Sequence, residues 1–264
     1  MPSNHRVAII TGVTKGIGKS VALSFAKEGI NLVGVSRNKE KIIEALEEIQ
    51  LKHKVVCLAV QTDVSQQEDV NNMLTQVLEK FNRIDILVNC AGVGVFDYII
   101  DSKLEDWERM IEVNLKGVYL CTKAVLPRMT KQKNGTIINI ASISGLRGYA
   151  KGSAYSASKF GVVGFTEVLS HEAKTDNIKV FAVCPGMVDN TFANNINQSS
   201  TDKSNMLKPG DVAKHVLRLI KPGARSQICE IGLKRLNRLN RLFNRIFRVK
   251  PKRRVVFVKT IKYL

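Results

Sequence analysis

Several functional classes need features that this sequence lacks. Its five cysteines (Cys57, Cys90, Cys121, Cys184, Cys229) are scattered with no CxxC pair, and its four histidines are dispersed. A disulfide framework or a clustered zinc site needs paired spacing, so free thiols in a reducing compartment are expected, and no metal site. No apolar run approaches the ~20 residues of a spanning helix. The first apolar run, Val7–Ile10, is too short for the core of a signal peptide and reads as a strand. A cytoplasmic protein is the expectation. No Pro/Gly/Ser-rich linker divides residues 1–232, and no acidic residue follows Glu230.

That last absence concentrates the charge. The formal net charge is +18, and from Leu233 onward twelve basic residues stand with no Asp or Glu, leaving +6 for residues 1–232. The composition is otherwise that of a globular protein, with 44% hydrophobic and 24% charged residues.

Short β-branched runs alternate with amphipathic segments of helix length. Strands are expected at Val7–Ile10, Asn31–Ser36, Val55–Gln61, Ile84–Asn89, Thr136–Ala141, Lys179–Cys184 and Ser226–Glu230. Helices are expected at Ile17–Glu28, Lys39–Leu51, Ser65–Phe81, Leu104–Met129, Ala154–Lys174 and Gly210–Ile220. Strands that are apolar throughout are buried on both faces, so the pattern implies an α/β fold. This would be a Rossmann-type doubly wound parallel sheet of about seven strands, binding ligands at the strands' carboxyl ends. The expected division is one domain, residues 1–232, and a basic C-terminal extension, residues 233–264.

The first strand runs directly into Thr11-Gly12-Val13-Thr14-Lys15-Gly16-Ile17-Gly18. Glycines allow a tight turn and a close approach of backbone to a pyrophosphate at the following helix N-terminus. The spacing is G-x-x-x-G-x-G, and by itself such a turn can simply end a strand. Further along, Tyr155 and Lys159 stand four apart in a helical segment and so share one helix face. A neighbouring ammonium favours phenolate and makes tyrosine a usable acid/base.

Thr11–Gly18 resembles the cofactor motif of short-chain dehydrogenases/reductases, and later residues fall in step with that family, nearest to its 3-oxoacyl reductases. Asp63-Val64 follows the third strand, and Asn89-Cys90-Ala91-Gly92 ends the fourth, with Cys90 where the family has a second Asn. Asn114, Ser142, Tyr155-Ser156-Ala157-Ser158-Lys159 and Pro185-Gly186 follow in order, so the match covers roughly residues 6–231. The resemblance implies Asn114, Ser142, Tyr155 and Lys159 as the catalytic group. It implies cofactor contacts from Gly12, Thr14, Lys15, Gly16, Ile17, Gly18, Ser36, Arg37, Asp63 and Val64. Further contacts would come from Asn89, Ala91, Gly92, Tyr155, Lys159, Pro185, Gly186 and Val188. After Asp189 the family usually has Thr; this chain has Asn190 and then Thr191, and Thr191 is retained as a contact.

NADP(H) is the expected cofactor. The second strand ends Ser36-Arg37, where an NAD-preferring member would carry an acid for the ribose hydroxyls. A guanidinium can instead grip a 2′-phosphate bidentately, with Lys15 beside it. The expected activity is hydride transfer between NADP(H) and a carbonyl or secondary alcohol, with an acyl or lipid-like molecule among the candidate substrates. The alternative is a catalytically idle NADP(H)-binding or scaffold protein on the same fold. The family commonly pairs the long helices at Leu104–Met129 and Ala154–Lys174, so a homodimer or homotetramer is expected. The polar stretch Phe192–Met206 reads as a substrate lid or a solvated loop.

The tail carries Leu233, Leu236, Leu239, Leu242, Phe243, Ile246 and Phe247 at threes and fours, with arginines largely off that stripe. This reads as a basic amphipathic helix that packs on the body, or meets an anionic membrane surface and makes the protein peripheral to it, or else as a disordered segment. Nucleic acid is disfavoured, because the tail has no aromatic interleaving and no recognised module. Pro251 should end the helix, and Val255–Val258 then suits a short extra strand.

Overall fold

The computed structural model of the chain describes residues 5–189, 206–225, 227–233 and 256–261. One sheet runs through it in the order β3-β2-β1-β4-β5-β6-β7-β8. The strands are β1 (Val7–Thr11), β2 (Asn31–Ser36), β3 (Cys57–Gln61), β4 (Ile86–Asn89), β5 (Gly135–Ile140), β6 (Ile178–Pro185), β7 (Gln227–Leu233) and β8 (Val256–Ile261). The first seven pair in parallel, and β8 runs antiparallel to β7, with Leu233 opposite Val256 and Ile228 opposite Ile261. About seven strands were expected, and the eighth lies where Val255–Val258 pointed.

The helices are α1 (Gly16–Ala26), α2 (Lys39–Lys52), α3 (Gln67–Phe81), α4 (Leu104–Ile111), α5 (Gly117–Gln132), α6 (Ser153–Glu172) and α7 (Pro209–Leu219). Strand residues alternate between two cores, because successive side chains point to opposite sheet faces. Ala8, Ile10, Leu32, Ile86, Val88 and Val183 pack with Val21, Phe25, Ile42, Val212 and Val216 of α1, α2 and α7. Val7, Ile9, Val33, Leu87 and Val180 pack with Val70, Met73, Leu120, Val125 and Leu169 of α3, α5 and α6. Both faces are therefore dry, which is why the strands lack a polar face.

One helix departs from expectation. The segment read as continuous from Leu104 to Met129 is interrupted by a π-helical turn, Glu112–Lys116, which holds Asn114. Among the cysteines of the described body, Cys121 and Cys184 are buried, while Cys57 and Cys90 are half-buried free thiols. Leu233, the first residue of the tail's amphipathic stripe, ends β7 and pairs with Val256; the rest of the stripe and the lid stretch up to residue 205 lie outside the described residues.

Strand order reverses between β1 and β4: β2 and β3 lie on one side of β1, and β4 to β8 on the other. The divergence of the connecting segments there leaves a crevice at the carboxyl ends of β1 and β4.

Candidate active site

A cleft of about 680 Å³ opens at that crevice. One wall is the glycine turn. Gly12 and Gly16 have φ of +70° and +58°, conformations that side chains rarely adopt. A Cβ on Gly18 would lie 2.2 Å from the Gly12 carbonyl oxygen, and one on Gly12 would lie 3.0 Å from the backbone of Ala91. Thr11 fastens the turn from below: its Oγ1 accepts from the backbone N–H of Cys90 at 2.9 Å and of Ala91 at 3.0 Å. Gly12 N–H donates to the Val35 carbonyl at 2.8 Å, tying the turn to β2. Helix α1 starts at the turn with no side-chain cap and no acid in its first turn. The positive N-terminal end of its dipole therefore faces the cleft.

Thr14, Lys15, Gly16 and Ile17 line this end of the cleft with Ser36, Arg37, Asp63 and Val64. Arg37 and Lys15 are exposed cations, and Asp63 is the one acid among the lining residues. The Asp63 carboxylate is occupied locally, accepting from Ser65 N–H at 3.0 Å and Ser65 Oγ at 2.7 Å. Thr62, which sequence reasoning missed, lines the same wall with a buried hydroxyl that has no protein partner. A buried orphan hydroxyl costs free energy unless something bonds to it, which suits a polar ligand here. Cradle, open helix end, paired cations and orphan hydroxyl together fit a phosphorylated dinucleotide.

The other end of the cleft is chemical. Tyr155 and Lys159 project from α6, and Ser142 caps the short 3-10 turn Ile143–Gly145 after β5. Ser142 Oγ accepts from Ser144 N–H at 3.1 Å, and Tyr155 hydrogen-bonds Ser142. Lys159 is buried, with Nζ 5.8 Å from the centre of the Tyr155 ring. Burial lowers the Lys159 pKa to about 8. Burial likewise pushes Tyr155 well above the usual tyrosine range, outweighing its bond to Ser142. The phenol is therefore neutral, and the lowering by Lys159 that the sequence suggested is not among the influences on it. Burial raises Cys90 to about 12, and its sulfur takes a hydrogen bond from the Gly18 backbone, so it is a neutral packing thiol.

Two of the expected residues stand behind the cleft wall. Asn114 is fully buried in the π-helical turn; its Nδ2 donates to Val93 O at 2.9 Å and Ser158 Oγ at 3.1 Å, and its Oδ1 accepts from Val93 N–H at 2.8 Å. Ser158 Oγ in turn donates to Tyr155 O at 2.7 Å. Asn114 thus clamps the loop after β4 to the helix that carries Tyr155. Asn89 is also buried and donates to Thr122 Oγ1 at 3.2 Å and Asn139 Oδ1 at 2.8 Å, while its neighbours Ala91 and Gly92 line the cleft. Pro185, Gly186 and Val188 line it from the end of β6, whereas Thr191 lies outside the described residues. Phe96, Ser144 and Tyr149 line the cleft as well, and no motif marks them; the spacing Ser142-x-Ser144 is the one signal that could have.

Comparison with known proteins agrees with this geometry. A family model described as short chain dehydrogenase matches residues 6–201. A 3-oxoacyl-[acyl-carrier-protein] reductase of Synechocystis sp. is 39% identical over 192 residues, spanning 73% of this chain and 78% of that protein. Among solved structures, a variant of actinorhodin polyketide ketoreductase with NADPH has 32% identity and a TM-score of 0.81, covering 86% of this chain and 95% of that one. An alcohol dehydrogenase from the archaeon Thermococcus sibiricus, complexed with 5-hydroxy-NADP, has 28% identity and a TM-score of 0.79, covering 86% of this chain and 96% of that one.

Proposed function

The chain belongs to the short-chain dehydrogenase family of oxidoreductases, and from that premise we propose that it reduces a ketone or aldehyde with NADPH, or oxidises the matching alcohol with NADP. The observation that carries this reading is the meeting of two groups in one cleft. Ser142, Tyr155 and Lys159 stand at one end, and the glycine turn with Arg37 and Lys15 at the other.

Gly12, Thr14, Gly16, Ile17 and Gly18 would hold the pyrophosphate, Arg37 and Lys15 the 2′-phosphate, and Thr62, Asp63 and Val64 the adenine end. Ala91, Gly92, Pro185, Gly186 and Val188 would border the nicotinamide end, and Thr191 is a contact only by the family resemblance. Bound there, the cofactor supplies the hydride that reduces the carbonyl carbon. Ser142, its Oγ held by the Ser144 N–H, orients the carbonyl oxygen. Tyr155 gives that oxygen its phenolic proton, and its buried, neutral state is the donor form that reduction needs. Lys159 contributes a nearby positive charge and holds the ribose. Asn114 acts by fixing Ser158 and so the helix that presents Tyr155.

The reductase names and the NADP-bound neighbours support both the carbonyl chemistry and the cofactor. The 3-oxoacyl reductase among the relatives makes 3-oxoacyl thioesters the first substrates to try. Exposed Tyr119 on α5 and Phe160 and Val168 on α6 support pairing of these helices in a homodimer or homotetramer. The cytoplasmic location, and contact of residues 233–264 with a membrane, rest on the sequence alone. The test is NADPH oxidation against a panel of 3-oxoacyl thioesters, steroids, quinones, sugars and small ketones. Turnover with at least one carbonyl is expected; none across the panel overturns the reading.

A further inference from the structure

The cofactor end of the cleft is matched to phosphates, and the substrate end has a cation of its own. Arg147 lines the cleft, is exposed, and stands on the loop after β5, shortly beyond Ser142. We propose that the ketone carries an oxyanion, a carboxylate or a phosphate, and that Arg147 binds it at the mouth of the cleft. The proposal deepens the reductase reading above and rests on it.

The loop holds Arg147 in a fixed relation to the reacting centre. Ser142 caps the 3-10 turn Ile143–Gly145, and the Arg147 N–H donates to the Ile143 carbonyl at 3.1 Å, closing the next turn. Beyond it the Tyr149 ring stacks on Phe96 at 6.3 Å between centroids, and a Cβ on Gly152 would meet the Tyr149 ring at 2.9 Å. Lys151 places its ammonium 4.8 Å from the centre of the Tyr98 ring. The loop after β5 is thus pinned to the loop after β4 at two points. Lys151 also takes a φ of +67°, which glycine adopts more easily, yet the position holds a second cation.

The surroundings suit an anion with an apolar body. Val93, Phe96, Ile143 and Met187 give the substrate end apolar walls, and among the described lining residues Arg147 is its one cation besides the buried Lys159. Asp63, the one acid in that lining, stands at the adenine end with its carboxylate accepting from Ser65. Asp97, next to Phe96 in sequence, is exposed and lies outside the lining. The cofactor's own phosphates would neutralise Lys15 and Arg37, which leaves Arg147 as the exposed positive charge over the substrate. A guanidinium presents a planar fork of donors that fits two oxygens of a carboxylate or phosphate. Apolar walls then supply affinity, and the single charged group fixes which way round the ligand lies.

The test uses the full chain with NADPH and pairs of ketones that differ chiefly in charge. Oxocarboxylates are run against their methyl esters, dihydroxyacetone phosphate against dihydroxyacetone, and a 3-oxoacyl coenzyme A against its neutral N-acetylcysteamine thioester. The pair that shows a preference identifies the oxyanion as a carboxylate, a phosphate on the ketone, or the phosphates of a thioester carrier. The anionic member of at least one pair should be favoured about 10-fold or more in kcat/KM, and added salt should shrink that ratio. Arg147→Met should cut the ratio about 10-fold, the low end for a lost hydrogen bond to a charged group, because Arg147 is exposed. The change should fall on KM more than on kcat, since the contact holds substrate and transition state alike. Arg147→Lys should keep part of the preference, as a point charge without the fork. Lys151→Gly, at a backbone position that suits glycine, should lower the ratio by about 2-fold. A thermal melt shows whether Arg147→Met is folded, and Arg147→Gln takes its place if it is not. Equal reduction of both members of every pair overturns the proposal, and so does an equal loss on both members in Arg147→Met. A matching loss of NADPH affinity would make Arg147 a cofactor contact and overturn it too. If the enzyme reduces panel ketones but no anionic member of any pair, this proposal falls alone. If it reduces no ketone at all, the reductase reading falls and takes this one with it.

Discussion

Lys159 donates from its buried ammonium to the carbonyl oxygen of Ile140, the last residue of β5, at 3.0 Å. That contact anchors α6 to the strand end, but one carbonyl does not replace the hydration of a cation. Burial accordingly lowers the lysine from 10.5 to about 8. The unfolded chain keeps the ordinary value, so between about 8 and 10.5 it binds more protons than the folded state, and stability rises with pH across that window. Below about 8 the folded protein bears the full cost of a buried charge. Lys159→Met should therefore abolish reduction yet raise the Tm of the cofactor-free protein at pH 7, with the advantage shrinking toward pH 10.5. Thermal melts across that range check it; a Met variant less stable at pH 7 would contradict it.

The same titration shapes activity. If the charged lysine assists Tyr155, kcat/KM for reduction should hold near neutrality and decline as pH rises through about 8, since this parameter follows groups of the free enzyme. A profile flat to pH 10 would remove Lys159 from that role.

Arg37 reaches the cleft beside Ser36 and Lys15, with no acid at the end of β2. Arg37→Asp should lower the preference for NADPH over NADH by about 10- to 100-fold, the scale of one lost charge-assisted hydrogen bond. The substituted acid should also gain the ribose hydroxyls of NADH. Paired kcat/KM values for both cofactors test this, and equal use of the two by the unaltered protein would defeat it.

Strand β8 lies against β7 along six residue pairs, from Ile228–Ile261 to Leu233–Val256. A chain ending at Gly232 would leave β7 as an open edge with unpaired backbone groups. Its Tm should fall by at least about 5 °C, equivalent to a kcal/mol or two at this size, and its aggregation should increase. Co-sedimentation of both versions with anionic vesicles separates the roles of the tail. An unchanged Tm, with salt-sensitive vesicle binding by the whole chain alone, would favour the membrane over the sheet.

Most of this architecture was legible in the sequence for identifiable reasons. Strands such as Asn31–Ser36 are apolar on both faces, and that pattern has no other economical use in a short run between amphipathic helices. Gly12, Gly16 and Gly18 announced the turn because a Cβ at Gly18 has no room. The π-helical turn at Asn114 was not legible, because the apolar spacing of Leu104–Met129 continues through it and the inserted residue is resolved only by packing. Nor were Phe96, Ser144 and Tyr149, which come from loops after β4 and β5 and meet Tyr155 only in three dimensions. Asn89 and Asn114 carry the family pattern, yet their side chains serve the frame behind the cleft. A motif position says which residue is present, and the fold decides which way it faces.

Tyr155 is the proposed proton donor for carbonyl reduction. Tyr155→Phe keeps the ring against Phe96 and removes only the hydroxyl. Rates of NADPH oxidation with the best panel ketone, measured beside NADPH affinity, test it most directly. Turnover should fall by at least ~100-fold, the scale of a lost general acid, with NADPH binding retained. Near-normal turnover by Tyr155→Phe would contradict it.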